Sequence, residues 1–442
     1  MLDAPIDFSD ARLDELLNYN LTKEEFRFYT NRLFNIETGI VSNRSGAMKG
    51  IMGKLNRRDI RIRENIYHKR LKRIGKAPEG WTKVLAEGDS WFEYPIYVRD
   101  IISHLIRREK KFAIRSIGAG GDWMSNMIFE REYLFHLSTL RPHVFLVSGG
   151  GNDIMGEQLG ALVDASPDLI SSKDKTSAQK LADETTYMEN YRIWVKHRLT
   201  AKDTTQRILH VNFAQKPIPQ NIKDDMSRVP AGAYDNVLLE KIIKGRKYLN
   251  PNFYGFLKLL KFQYRYMHKT IESEDPIFYD SLLIITQGYD YPLPSYSRKL
   301  PIFRWILNTY MHNGRWLKAP LTAKGITDPF DQECAMAAMI FEYNEMMIDL
   351  TTQYKNMCHI DSRGIVQSLF PKNPRRGWFD EPHVKSCVFK RIAKQYAQCI
   401  RQHSEILKSK TVNSAYRLGN DPTIRNAPNT YHATVFKCVE MK

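Results

Sequence analysis

Residues 83–90 read Lys83-Val84-Leu85-Ala86-Glu87-Gly88-Asp89-Ser90. A short apolar run that stops at a glycine and a polar turn is the pattern of a buried strand running into a loop. Just beyond it Ile101, Ile102, Leu105 and Ile106 recur at helical spacing. The pattern then repeats. Lys111 to Ile117 is strand-like and ends in Gly118-Ala119-Gly120-Gly121, with Met124, Met127 and Ile128 marking a helix after it. Val144-Phe145-Leu146-Val147 ends in Ser148-Gly149-Gly150-Gly151-Asn152-Asp153. Leu282-Leu283-Ile284-Ile285 makes a fourth strand and Met357 to Ile360 a short fifth. Between those two, Met336, Met339, Ile340, Tyr343, Met347 and Leu350 form a helix. Such alternation predicts an α/β fold, with βαβ units and a parallel sheet covered on both faces. Ligands of these sheets collect outside the carboxyl ends of the strands, so the first three turns are expected to meet at one site.

The residues at that edge suit nucleophilic chemistry. A serine hydroxyl is a poor nucleophile near neutral pH and needs a base, usually histidine, within hydrogen-bond reach. The histidine needs a carboxylate to fix its tautomer, and the reaction needs donors aimed at the oxyanion. Ser90 follows the first strand, Gly121 follows the second with a bare backbone N–H, and Asn152 follows the third with a side-chain amide. Asp380 and His383 lie in Trp378-Phe379-Asp380-Glu381-Pro382-His383, a loop before the last helix. Taken alone, Ser90 is better explained as a cap for the following helix. Its company argues for chemistry. Gly118 to Gly121 lacks the Lys-Ser/Thr of a phosphate loop, there is no G-x-S-x-G elbow, and no HExxH or clustered ligands occur. Neither a cofactor nor a metal is expected.

Gly88-Asp89-Ser90, Gly121-Asp122, Gly150-Gly151-Asn152-Asp153 and Asp380-Glu381-Pro382-His383 resemble, in order, the four blocks of the SGNH (GDSL-like) hydrolase superfamily. The resemblance implies a three-layer flavodoxin-like fold with a five-stranded parallel sheet of order 2-1-3-4-5. It implies a serine esterase or lipase, with Ser90 as nucleophile, His383 as base and Asp380 as its orienter. The Ser90 N–H, the Gly121 N–H and Asn152 would form the oxyanion hole. Roughly half the chain is covered. Trp91 stands where leucine is usual. Ser90-Trp91-Phe92-Glu93-Tyr94-Pro95, with Gly288-Tyr289-Asp290-Tyr291-Pro292 and Gly314-Arg315-Trp316-Leu317, is similar to a bacterial branch that supplies no substrate. Trp91, Phe92 and Tyr94 either line an acyl pocket or pack the first helix on the sheet. Tyr289, Asp290 and Trp316 are candidates to border the site. Asp89 and Asp153 read as structural, bonding loop amides nearby.

With 442 residues, 43% of them hydrophobic and 12% aromatic, the chain has material for a sizeable core. Three parts are expected: a basic helical extension at 1–80, a hydrolase domain at 81–408 with a helical insertion at about 157–280, and a tail at 409–442. In the extension, Thr22-Lys23-Glu24-Glu25 has capping-box spacing and opens an amphipathic stretch through Phe26, Tyr29, Leu33 and Phe34. A basic run follows (Arg57, Arg58, Arg61, Arg63, Lys69, Arg70, Lys72 and Arg73), in which Ile60, Ile62 and Ile66 allow one buried edge. In the insertion, Lys258, Lys261, Arg265 and Lys269 share a helical face apart from Phe256, Leu257, Leu260, Tyr264 and Met267. A helix packed on the core with its lysines in water is the preferred reading, and an interfacial helix or lid over an apolar pocket is the alternative.

The net charge of +17 favours anionic surroundings. An acyl-ester substrate, lipid esters included, with peripheral contact to an anionic membrane, is preferred over nucleic acid. The alternative for the whole protein is a binder of anionic surfaces or nucleic acid on an inactive or accessory scaffold. The five cysteines are odd in number and lack CxxC spacing, so they read as reduced thiols. The first residues carry no charged-then-apolar leader, and no apolar run approaches the roughly 20 residues that cross a bilayer. A cytoplasmic protein is expected.

Overall fold

The computed structural model describes residue 25 and residues 51–94, 98–167, 176–200, 218, 220–229, 235–294, 316–412 and 435–437. The amphipathic stretch expected from Thr22 to Phe34 lies outside them, Glu25 excepted. Helix α1 (Ile51–Lys76) leads into β1 (Thr82–Gly88), followed by α2 (Ile101–Arg108) and β2 (Phe112–Ser116). Next come α3 (Met124–Glu130), α4 (Glu132–Leu140) and β3 (Val144–Ser148). A helical stretch separates β3 from β4: α5 (Glu157–Leu162), α6 (Ser177–Thr200), α7 (Gln220–Arg228), α8 (Asn236–Arg246), α9 (Pro251–Glu274) and α10 (Pro276–Ser281). Strand β4 (Leu283–Gln287) is followed by α11 (Lys318–Ala323), α12 (Pro329–Thr351) and β5 (Met357–Asp361). Helices α13 (Ile365–Leu369) and α14 (Ser386–Val412) and strand β6 (Val435–Lys437) complete the order.

All strands pair in parallel, in the order β2-β1-β3-β4-β5-β6. Every residue of β3, β4 and β5 is buried. Side chains of both parities are therefore covered, which in a parallel sheet means helices on both faces. The first five strands stand in the expected order. The sixth departs from expectation, because it lies in the segment read as a tail: Val435, Phe436 and Lys437 align with His359, Ile360 and Asp361 of β5. Three residues give no periodicity to read, and the edge of β5 supplies the partner that the sequence does not announce.

Side-chain caps set the starts of the helices. Asp100 accepts the Ser103 N–H at 2.7 Å ahead of α2. Asn250 precedes Pro251 at α9, and Asp328 precedes Pro329 at α12, each accepting an amide of the first turn. Helix α1 packs along β2, but not on the isoleucine edge expected of it. Among its described side chains, Arg63, Tyr67 and Arg70 are buried, while Ile60 and Ile66 are half-buried and Ile62 is 46% exposed. The cause is hydrogen bonding. The last carbonyls of a helix lack intrahelical donors. The Arg70 guanidinium donates to the carbonyls of Ile106 (2.6 Å), Glu109 (3.1 Å) and Phe112 (2.5 Å), where α2 ends and β2 begins. A small cavity lined by Ile60, Arg63, Tyr67, Glu93, Ile114 and Ser116 lies between α1 and the sheet.

Helix α9 is embedded in the core. Phe253, Phe256, Leu257, Leu260, Tyr264 and Met267 are buried, and of its basic face Lys258 and Lys269 are exposed while Lys261 and Arg265 are half-buried. Lys261 pairs with Asp349 of α12 at 2.9 Å. The burial of α9 agrees with the reading of a helix packed on the core. Cys334, Cys358, Cys387 and Cys399 are free thiols, and Cys438 lies outside the described residues. Among the described residues no helix is long and apolar enough to cross a membrane.

Helices α8 and α12 meet backbone to side at Gly245, where an added Cβ would lie 1.8 Å from the Cys334 carbonyl oxygen. Alanine in an open helix is worth about 1 kcal/mol over glycine. Here Gly245→Ala should instead cost about 3 kcal/mol through overpacking, read as a lower urea midpoint at unchanged m-value.

Candidate functional site

At the carboxyl edge of the sheet, the turn after β1 carries Ser90 and a closed loop before α14 carries Asp380 and His383. That loop is tight. Phe379 N–H donates to the His383 carbonyl at 2.8 Å, and Trp378 bridges to Val384. The Ser90 Oγ lies 2.6 Å from His383 Nε2. His383 Nδ1 lies 2.7 Å from Asp380 Oδ1 and 3.0 Å from Oδ2. Asp380 Oδ1 also accepts the His383 backbone N–H at 2.8 Å, which fixes the carboxylate against the ring it faces. A carboxylate at Nδ1 selects the tautomer protonated there, leaving Nε2 as an acceptor for the serine proton. Ser90 is 8% exposed and the His383 side chain 12%, so the group opens to solvent only at its outer rim.

Two loops gather beside Ser90. Ala119 N–H donates to the Gly88 carbonyl at 3.0 Å, and Asn152 Nδ2 donates to the Asp122 carbonyl at 2.9 Å. These bonds tie the turns after β1, β2 and β3 together. Gly121 adopts φ of +90°, a conformation that favours glycine, and a Cβ there would meet open space. Neither the Ser90 N–H nor the Gly121 N–H has an acceptor among the described residues. Asn152 keeps a second amide hydrogen beyond the one given to Asp122.

Buried carboxylates hold the loops. Asp89 accepts Trp91 N–H at 3.0 Å, Ser148 Oγ–H at 2.6 Å and Tyr289 O–H at 2.6 Å, and burial raises its pKa. Asp153 accepts Met124 N–H and Gly150 N–H, and burial pushes it up to about 7. Glu381, between the two loop residues, accepts the N–H groups of Trp316, Leu317 and Lys318 at 3.1, 3.0 and 3.1 Å. Burial pushes it up to about 7 as well.

The expected pocket residues fall into two groups. Trp91 and Phe92 are core residues. Trp91 meets Tyr289 and Phe389 edge to face and donates Nε1–H to the Pro382 carbonyl at 3.2 Å. Tyr289 is buried on Asp89, and Asp290 is turned to the N–H groups of Gly364 (2.6 Å) and Val366 (2.8 Å) at the start of α13. Their side chains are spent inside the fold and do not border the Ser90 opening. Trp316 is half-buried, its backbone N–H on Glu381.

Tyr94 does reach the site. Its hydroxyl donates to Asp380 Oδ2 at 2.9 Å, and its ring packs edge to face on His383 at 4.5 Å. Burial, with the Asp380 carboxylate, holds the phenol well above the usual tyrosine range, so it stays a donor. Sequence reasoning missed that contact and the Glu381 pin. The position of Glu381 between Asp380 and His383 was a signal for the second; nothing local pointed to the first.

Compared with known proteins, the chain matches no family model, no curated sequence and no solved structure.

The Asp153 carboxyl allows a pH test. A carboxyl whose folded pKa lies above its unfolded value binds its proton more tightly when folded, so its contribution is most favourable below about pH 4 and is lost as pH rises toward about 7. Asp153→Asn can keep both amide bonds on its single oxygen. Urea melts across that window should show a flatter fall of stability with pH in the variant than in the parent.

Proposed function

We propose that the chain is a serine hydrolase of the SGNH type that cleaves acyl esters through an acyl-enzyme on Ser90. The observation that carries the reading is the short run of contacts from Ser90 Oγ to His383 Nε2 at 2.6 Å and from His383 Nδ1 to Asp380 at 2.7 Å. The parallel sheet with its first five strands in the order 2-1-3-4-5 supports it. So do the unclaimed amides of Ser90 and Gly121 beside Asn152.

The chemistry follows from those positions. Ser90 Oγ attacks the ester carbonyl carbon while its proton passes to His383 Nε2. Asp380 holds the imidazolium that forms and does not itself take the proton. Charge on the carbonyl oxygen is met by the Ser90 and Gly121 N–H groups and the Asn152 amide. Collapse expels the alkoxide, which takes the proton from Nε2, and the Ser90 acyl ester remains. Water then attacks that ester, giving its proton to Nε2. The second collapse frees the acid and returns the proton to Ser90.

A different reading has its own support. Arg61, Lys69, Lys72, Arg73 and Lys76 are exposed along α1, a basic face that suits anionic surfaces. Salt-sensitive retention of the Ser90→Ala protein on anionic vesicles or on RNA, with no ester turnover by the parent, would put binding first.

Treatment of purified protein with a fluorophosphonate probe tests the hydrolase. The parent should label on Ser90, and Ser90→Ala and His383→Ala should not. Asn152→Ala should fold normally and turn over the best ester of a panel, lipid esters included, about a hundredfold more slowly. An unlabelled but well-folded parent would reject the reading.

A further inference from the structure

Between Ser90 and α2 the chain is gripped by α1. Arg63, 8% exposed, donates to the Phe92 carbonyl at 3.1 Å, to Asp100 Oδ2 at 2.5 Å and to Ser103 Oγ at 2.9 Å. The same Asp100 oxygen accepts the Tyr94 N–H at 3.0 Å. Tyr94 in turn gives its hydroxyl to Asp380 Oδ2 and its ring edge to His383. A continuous path of hydrogen bonds therefore runs from a helix ahead of the sheet to the carboxylate that faces the histidine. Each link is buried or nearly so, where a hydrogen bond to a charged group is strongest.

We infer that Tyr94 is a positioning residue for Ser90, His383 and Asp380, and that Arg63 holds Tyr94 in place through Asp100. The inference rests on the hydrolase reading above. Its physical content is twofold. Asp380 Oδ1 takes two donors from His383, whose Nδ1 also lies 3.0 Å from Oδ2, and the Tyr94 hydroxyl on Oδ2 adds a hold from outside that loop against rotation of the carboxylate. It also draws charge from that carboxylate, which weakens the carboxylate's hold on an imidazolium. The groups facing His383 among the described residues are Asp380 on its own loop and Asp89, Ser90 and Tyr94 from the turn after β1, while Glu381 turns its carboxyl to the Trp316, Leu317 and Lys318 amides. Only Tyr94 among them donates to Asp380 Oδ2. Tyrosine to phenylalanine keeps the ring contact and removes this bond alone.

The rate of fluorophosphonate inactivation of the full chain, followed from about pH 5 to about pH 9, needs no knowledge of the substrate and tests both parts. Tyr94→Phe should slow inactivation roughly tenfold and move the acid limb of the profile up by about half a pH unit, since Asp380 then holds the imidazolium more firmly. Arg63→Lys keeps the charge and loses the fork, and should give a smaller change of the same sign. In a Tyr94→Phe background Arg63→Lys should move the limb no further, because its effect passes through the hydroxyl. A parent that labels beside a Tyr94→Phe protein with the parent's rate and limb overturns this inference and leaves the hydrolase standing. Limb shifts that add in the double variant overturn the role of Arg63. A folded parent that takes no label sinks the hydrolase reading itself, and this inference with it. If Arg63→Lys does not fold, the Tyr94→Phe profile decides.

Discussion

The Ser90 hydroxyl and the His383 imidazole are 293 positions apart in sequence and 2.6 Å apart in space. That contact is a demand on the whole sheet. It requires the turn after β1, the strand next to the β2 edge, to face a loop that lies between β5 and α14 in the chain. It also requires Asp380 to be held from both sides, because a carboxylate free to turn would not keep the ring at the angle the hydroxyl needs. The edge-to-face packing of Trp91 on Phe389, and its Nε1–H on the Pro382 carbonyl, supply the rigid connection between turn and loop. The core residue next to the serine is thus part of what brings the histidine to it.

The same edge shows how irregular backbone is kept inside a protein. Loops have no ladder to absorb their amides, yet buried N–H groups need acceptors. Asp89, Asp153, Glu381 and Asp290 each take two or three donors, and in each case burial pulls the carboxyl toward its neutral form. Loop geometry and charge burial are set against one another at these positions. The protein holds the loops at some expense of stability at neutral pH.

Much of this was legible in the sequence, and the legible part has a common cause. Strands β1 to β5 are short, largely apolar stretches, the first four closed by glycine within two residues, and their order is the one that the resemblance of the four blocks implies. Ser90, Asn152, Asp380 and His383 stood out because their types and order suit one reaction, and the fold brings Ser90, His383 and Asp380 into contact. What escaped depends on tertiary contact. The buried side of α1 was sought among its isoleucines, since periodicity ranks residues by apolarity. A guanidinium that satisfies three carbonyls is invisible to that ranking. Tyr94 was one aromatic among three after the serine, and only the return of the Asp380 loop distinguishes it. Strand β6 is too short for a pattern. Asp100 could have been found, because an aspartate just before Ile101 and Ile102 is a helix-start signal.

The position of α1 bears on where this protein can be divided. The recognisable blocks begin near residue 83, and a boundary drawn there by motif would remove α1. Strand β2 is the outermost strand on its side of the sheet, and Arg70 is what occupies the carbonyls where it begins. A chain cut at residue 81 would keep Ser90, Asp380 and His383 but lose Arg63 and leave those carbonyls without their Arg70 donor. For this chain the smallest unit that carries the blocks is smaller than the smallest unit in which those carbonyls are met.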